Sequence, residues 1–208
     1  MHLNSSPLHM DIIPLIYIKD GALLQEKQGP KITIKELTAR VEEDKMLYIL
    51  DLDGIEHNNP NLGLYEDLSD RYTLWVDAGP RILDDVMDMI MAGATNITIR
   101  KNLWPNVNLV DLQEITEDEI YFTVDTDQIE KHVEFSVFSD VIGAVVLKDE
   151  KEIEEDQHYS TFLKEYAAKS KLYIYNVDPT NVPYWNERHV TGVLVDLSKL
   201  EGFKVHGS

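Results

Sequence analysis

The chain has 208 residues, no cysteine, and a formal net charge of -19 from 38 acidic and 19 basic side chains. Disulfides and thiolate zinc sites are excluded, clustered phosphate contacts to nucleic acid are disfavoured, and an anionic membrane surface would repel the chain. The length suits one domain, residues 1–208, and neither a bilayer-length apolar run nor a signal peptide is present, so a soluble cytoplasmic protein is expected.

Residues 1–10 are polar and unpatterned, as in a loose N-terminal arm or a cover over one end of the domain. Ile12–Ile18 (IIPLIYI) is nearly continuous apolar sequence, the mark of a strand buried on both faces of a parallel sheet. Lys19-Asp20-Gly21 turns the chain, Ala22–Gly29 makes an extended excursion, and Thr33–Glu43 has helical spacing. So long a connection tends to carry function. Strand Met46–Leu50 ends in the acidic turn Asp51-Leu52-Asp53-Gly54, helix Leu62–Asp70 follows, and strand Thr73–Val76 ends in Asp77-Ala78-Gly79-Pro80-Arg81. Leu83–Met91 is helical and stops at Ala92-Gly93, with Gly93 suited to a C-cap.

The alternation continues with strand Asn96–Ile99, helix Val107–Glu114, strand Ile120–Val124, a charged segment Gln128–Phe138 of no clear pattern, and strand Val141–Leu147. The acidic run Lys148–Asp156 reads as a solvated loop. Helix Tyr159–Lys169, strand Leu172–Tyr175, a short irregular or helical piece at Pro183–His189 and strand Gly192–Val195 complete the chain. About eight strands alternating with helices predict an α/β fold, a compact (β/α)8 TIM barrel with some abbreviated helices. An open doubly wound sheet is the structural alternative.

Carboxylates at Asp51, Asp53, Asp77, Asp125, Asp127, Asp149, Asp178 and Asp196 fall at or just beyond the predicted strand ends, which converge on one mouth in a barrel. Such a ring would suit a divalent cation or an amine-bearing substrate. Against that, Asp is a favoured helix N-cap and turn former, so βα loops contain it in any case. Arg100 and Lys101 offer an anion-binding point near Arg81, or else pair with Asp77 and surface acids. His57, His132, His158 and His189 lack metal-ligand spacing, and Trp75, Trp104, Tyr184 and Trp185 read as packing residues. There is no nucleophile elbow, Walker loop or dinucleotide fingerprint, and no firm cofactor signature beyond the cation that the carboxylates would suit.

Several segments resemble ProFAR isomerase of histidine biosynthesis and its cyclase relative. They are the first strand and long loop, IPLIYIKDGALLQEKQG (Ile13–Gly29); DLDG (Asp51–Gly54) with Asn61; Asp77–Gly93; and the closing GVLVDLSKLEG (Gly192–Gly202). The match is specific through the first half and fades afterward. The resemblance implies a barrel with an acid/base pair of aspartates at the ends of the first and fifth strands and phosphate held by glycine-rich turns. Here the first position is Tyr17 and the fifth is Asp125, and Gln25 stands where the family has a loop arginine. A phenol with a pKa near 10 is a poor base at neutral pH. Arg100-Lys101, Asp178-Pro179 and Asp196 replace phosphate-turn residues, and proline removes N–H donors that phosphate needs.

The expectation is a divergent relative of that family, not a true ProFAR isomerase. It would be an isomerase or lyase acting on a small metabolite, with Asp125 as principal acid/base, Tyr17 as proton donor or positioning group, and Asp51 as an orienting or second acid/base group. Lys19, Asp53, Asn61, Arg81, Arg100, Lys101, Asp127 and Asp178 would contact the substrate. The alternative is a non-catalytic binding or regulatory paralogue whose mouth is filled by side chains; a small-molecule ligand is the expected partner in either case.

Overall fold

The computed structural model describes residues 10–116, 119–124, 143–148 and 150–204. Its strands are β1 (Asp11–Lys19), β2 (Ala22–Leu24), β3 (Lys31–Ile32), β4 (Met46–Asp51), β5 (Thr73–Asp77), β6 (Ala94–Ile99), β7 (Glu119–Thr123), β8 (Gly143–Val146), β9 (Lys171–Tyr175) and β10 (Gly192–Asp196). The helices among the described residues are α1 (Ile34–Thr38), α2 (Leu52–His57), α3 (Leu62–Ser69), α4 (Leu83–Met91), α5 (Leu109–Ile115), α6 (Glu150–Glu155), α7 (Gln157–Ala167), α8 (Val182–Asn186) and α9 (Leu200–Lys204). None is long and apolar enough to cross a membrane.

The apolar run Ile13–Ile18 is buried throughout, because β1 has a neighbour on each side. Its first half pairs in parallel with β10, from Asp11↔Gly192 to Leu15↔Asp196, and its second half with β4, from Leu15↔Tyr48 to Ile18↔Asp51. With the order β10-β9-β8-β7-β6-β5-β4-β1, that extra pairing closes eight parallel strands into a barrel with intervening helices. The open sheet that the strand count also allowed is thereby excluded. The short antiparallel strands β2 and β3 fold back on the upper part of β1, with Tyr17↔Leu24 and Leu23↔Ile32 in register.

Alternation along each strand sorts the side chains into two cores. Leu15, Tyr17, Tyr48, Trp75, Tyr121 and Tyr173 fill the barrel interior. Ile16, Ile18, Ile49, Val76, Ile97 and Phe122 face the helices instead. Trp75 is fully buried at the middle of the interior. Its ring centroid lies 5.1 Å from Tyr48, 4.1 Å from Tyr121 and 4.8 Å from Tyr173, with edge-to-face contacts to the first and last.

Local structure departs from the sequence expectation in four places. The helix expected over Thr33–Glu43 spans only Ile34–Thr38: Thr33 and Glu36 form its capping box, and a turn with Asp44 at φ 63 redirects the chain into β4. The excursion Ala22–Gly29 contains β2, which with β3 makes a hairpin. The segment read as an acidic turn after β4 is already helical from Leu52. The expected loop Lys148–Asp156 contains α6, because Ile153 is buried and the Glu150 carboxylate accepts from Trp185 Nε1 and the Asp178 N–H. The expected N-terminal arm, except Met10, and the charged segment Gln128–Phe138 lie outside the described residues.

Removing Trp75 would leave a cavity that three surrounding rings cannot collapse into. Trp75→Ala should therefore lower stability in urea denaturation by about 3–5 kcal/mol, whereas a loss below about 1 kcal/mol would mean that the interior is not packed on this ring.

Candidate functional site

The loops at the C-terminal ends of the barrel strands carry most of the expected site residues, and their polar groups fall into three networks. The first surrounds Asp51, which caps α2. Its Oδ1 accepts from the N–H groups of Asp53 (3.0 Å) and Gly54 (3.1 Å), its Oδ2 from the N–H of Asn61 (2.8 Å), and the Tyr65 hydroxyl donates to Oδ2 as well. The Asn61 amide donates to both Asp51 and Asp53. Asp53 also accepts from the N–H groups of Asp20 (2.9 Å) and Gly21 (3.0 Å). Burial raises the Asp53 pKa, but the Gly21 N–H, the Asn61 amide and the Asp20 N–H outweigh it and hold the carboxyl below its usual value.

The geometry of this network explains its sequence. Asp20 and Gly21 both have positive φ, 50 and 65, which turns their N–H groups onto Asp53. Gly54 lies so close to the next loop that an added Cβ would sit 2.6 Å from the Ala78 carbonyl oxygen. Asp51, Asp53 and Asn61 thus join the β1–β2 turn to α2 and the start of α3, while Lys19 at the end of β1 is exposed.

The second network lies on the β4–β5–β6 side. Arg100 makes a bidentate pair with Asp77, Nε to Oδ1 at 2.8 Å and Nη2 to Oδ2 at 2.7 Å, and the Asp77 side chain is fully buried. Trp75 Nε1 donates to Thr98 Oγ1 (2.9 Å), which lies 3.2 Å from the Tyr48 hydroxyl, and Tyr48 donates to Asp77 Oδ2 (3.2 Å). Burial, reinforced by the Asp77 charge, pushes the Tyr48 pKa well up. Arg81, expected near Arg100, has its own partners. Its guanidinium donates to the Gly54, Ile55 and Gly79 carbonyls and to Asn58, closing the C-terminal end of α2. Lys101 packs its ammonium 5.3 Å from the Phe122 ring, on the helix side of the barrel, and desolvation lowers its pKa.

The third network joins β1, β9 and β10. The Tyr17 hydroxyl donates to Asp196 Oδ1 (3.0 Å) and lies 2.8 Å from the Tyr175 hydroxyl, which donates to Asp196 Oδ2 (3.0 Å). Burial and these two neighbours raise the Tyr17 pKa far above that of a free phenol. Asp196 is also raised, by burial and then against the pull of Tyr17, Tyr175 and Lys199. Gln25 accepts from Arg40 (2.8 Å). Asp178 caps the 3-10 turn Pro179–Asn181 through the Thr180 N–H (2.8 Å). Sequence reading did not select Tyr175, Tyr48 or Thr98; their signal is inward parity with Tyr173, Leu50 and Asn96 on strands whose ends reach the mouth.

Asp125, Asp127 and Asp149 lie outside the described residues. Among the described residues, no group of three or more His, Asp or Glu side chains is arranged to hold a metal ion. Thr123, at the end of β7 and level with Val145, has a buried hydroxyl with no hydrogen-bond partner among the described residues.

Two measurements probe these networks. Arg100→Ala leaves Asp77 buried and uncompensated, and should cost about 3–5 kcal/mol in urea denaturation, with most of the loss recovered in the Asp77→Asn/Arg100→Met double variant. For Asp196, the folded pKa exceeds the unfolded value of about 3.9, so its stabilising contribution is full below that pH and lost as pH rises through the folded pKa. Asp196→Asn does not titrate. The stability of the variant relative to wild type should therefore improve from about pH 4 to about pH 7, and a constant or declining difference would refute the raised pKa.

Compared with known proteins, the chain matches no protein-family model and no curated protein.

Proposed function

We propose that the chain is a TIM barrel related to ProFAR isomerase and its cyclase relative, and that it acts as a non-catalytic ligand-binding or regulatory paralogue. The relation is supported by IPLIYIKDG on β1, DLDG at the end of β4 and the Gly192–Gly202 segment. The loss of catalysis is supported by one observation above all: the polar side chains described at the mouth hold one another. Tyr17, at the family's first acid/base position, is bonded to the buried carboxylate of Asp196, and burial, Tyr175 and Asp196 together raise its pKa, so it is not a base at neutral pH. Asp51 is saturated by backbone and side-chain donors, and Arg81 and Arg100 are engaged by carbonyls and by Asp77.

A second reading, an isomerase or lyase with Asp125 as its acid/base, is favoured by the unsatisfied Thr123 hydroxyl on the strand that leads to Asp125. A buried donor without a partner costs stability and is often kept for a ligand.

The purified protein should turn over ProFAR at a rate at least about 10²-fold below that of an ordinary isomerase, and should not rescue a strain lacking that enzyme. Turnover at an ordinary rate, or rescue, would sink the proposal. A thermal-shift screen of metabolites, with and without divalent cations, identifies the ligand. A metabolite that is consumed as well as bound, with turnover abolished in Asp125→Asn, would establish the enzymatic reading instead.

A further inference from the structure

The two ends of the barrel differ, and among the described residues the end remote from the candidate site holds a cleft. A cleft of about 820 Å3 starts at the N-terminal ends of the strands and runs along the outer face of the first half of β1 beside α9. Two glycines make room for side chains that line its inner part. Gly143 on β8 and Gly192 on β10 share the inward parity of Val145 and Leu194. A Cβ at Gly143 would lie 2.7 Å from Lys171 Cβ, and one at Gly192 would lie 2.8 Å from Asp11 Cβ and 2.9 Å from a Tyr173 ring carbon. With no side chain there, Lys171 passes over β8 to reach Glu119 on β7 (2.9 Å), and Asp11 passes over β10 to interact with Tyr173.

Two of the acids in the cleft, Glu119 and Asp11, already have donors. Glu119 accepts from Asn96 (3.1 Å), Lys171 and Tyr121; Asp11 faces Tyr173; Glu42 lies 3.9 Å from Lys45. Lys171 uses one of its three ammonium N–H groups on Glu119, and its side chain is 43% exposed. The donor capacity that Lys171 has left over is cationic, in a chain whose net charge is -19. The same cleft is lined along the outer face of β1 and α9 by Ile12, Pro14, Val41, Leu200 and Phe203, which form an apolar wall.

We propose that this cleft binds a small amphipathic carboxylate, with its carboxylate on Lys171 and its apolar body against the wall of β1 and α9. The volume is that of a metabolite-sized site. The site is independent of whether the barrel mouth is catalytic.

The test is calorimetric titration of the full chain with octanoate, 1-octanol and octylamine. Octanoate should bind saturably and at least about tenfold more tightly than octylamine. Lys171→Met should weaken octanoate about tenfold while leaving 1-octanol unchanged, and Lys171→Arg should restore it. Ile12→Trp, which fills the apolar part, should weaken both octanoate and 1-octanol; melting curves verify that each variant is folded. Absence of saturable octanoate binding, equal affinity for octylamine, or indifference to Lys171→Met would overturn the proposal. So would binding seen only after deletion of residues 1–9, which would make that segment the occupant, or loss of the cleft in a self-associated form of the chain.

Discussion

Everything at the mouth depends on β1 being shared by two partners. Its lower half is hydrogen-bonded to β10 and its upper half to β4. Without the first pairing the sheet would be open, and the ends of β1, β9 and β10 would not converge. The contact is short, and it is reinforced at its upper end. The Leu197 N–H donates to the Leu15 carbonyl (3.0 Å), and Tyr17 on β1 donates to Asp196 on β10. The seam is thus fastened by a buried phenol–carboxylate contact. The β2–β3 hairpin continues the edge above the seam, with the Ser198 N–H reaching the Gln25 carbonyl (3.4 Å).

Closure forces large aromatic side chains into one enclosed volume, and their polar tips then set the character of each end. Trp75 and Tyr48 aim their N–H and O–H groups toward Thr98 and Asp77, so the β4–β6 side of the mouth is joined to the core by continuous hydrogen bonds. Tyr121 and Tyr173 direct theirs the other way, toward Glu119 and Asp11. A buried polar group needs a partner, and a ring of strands supplies partners only at its rims. The same packing that stabilises the interior therefore arranges polar groups at both ends. Among the described residues, Arg100 at the mouth and the phenols of Tyr17 and Tyr175 pair with carboxylates across neighbouring strands, whereas at the opposite end Gly143 and Gly192 bring no side chain.

The acidity of the chain is handled locally as well as globally. Asp51, Asp156 and Asp178 cap helical turns, accepting from backbone N–H groups that the first turn leaves without intrahelical partners. Placing carboxylates at strand–helix junctions complements the helix dipoles. A row of aspartates at strand ends therefore follows from the architecture of successive βα units, and its presence alone does not imply a bound cation.

The sequence by itself determined the alternation of strands and helices. Unbroken apolar runs such as Ile13–Ile18 and the helical spacing of Leu83–Met91 encode burial and period directly, and Gly93 at φ 100 ends that helix where its residue type predicts. It also identified Asp51, Asp53, Asn61 and Arg81 as residues of one region, because the βαβ unit brings neighbouring loops together. What those groups do was decided by tertiary structure. Whether Asp51 meets solvent or the Asn61 and Tyr65 donors depends on how the start of α3 returns to the end of β4, and whether Arg100 is open or locked to Asp77, or Tyr17 stands alone or against Asp196, depends on cross-strand register. Tyr17 and Asp196 are 179 positions apart, and local sequence carries no record of a pairing that exists only once the barrel is closed.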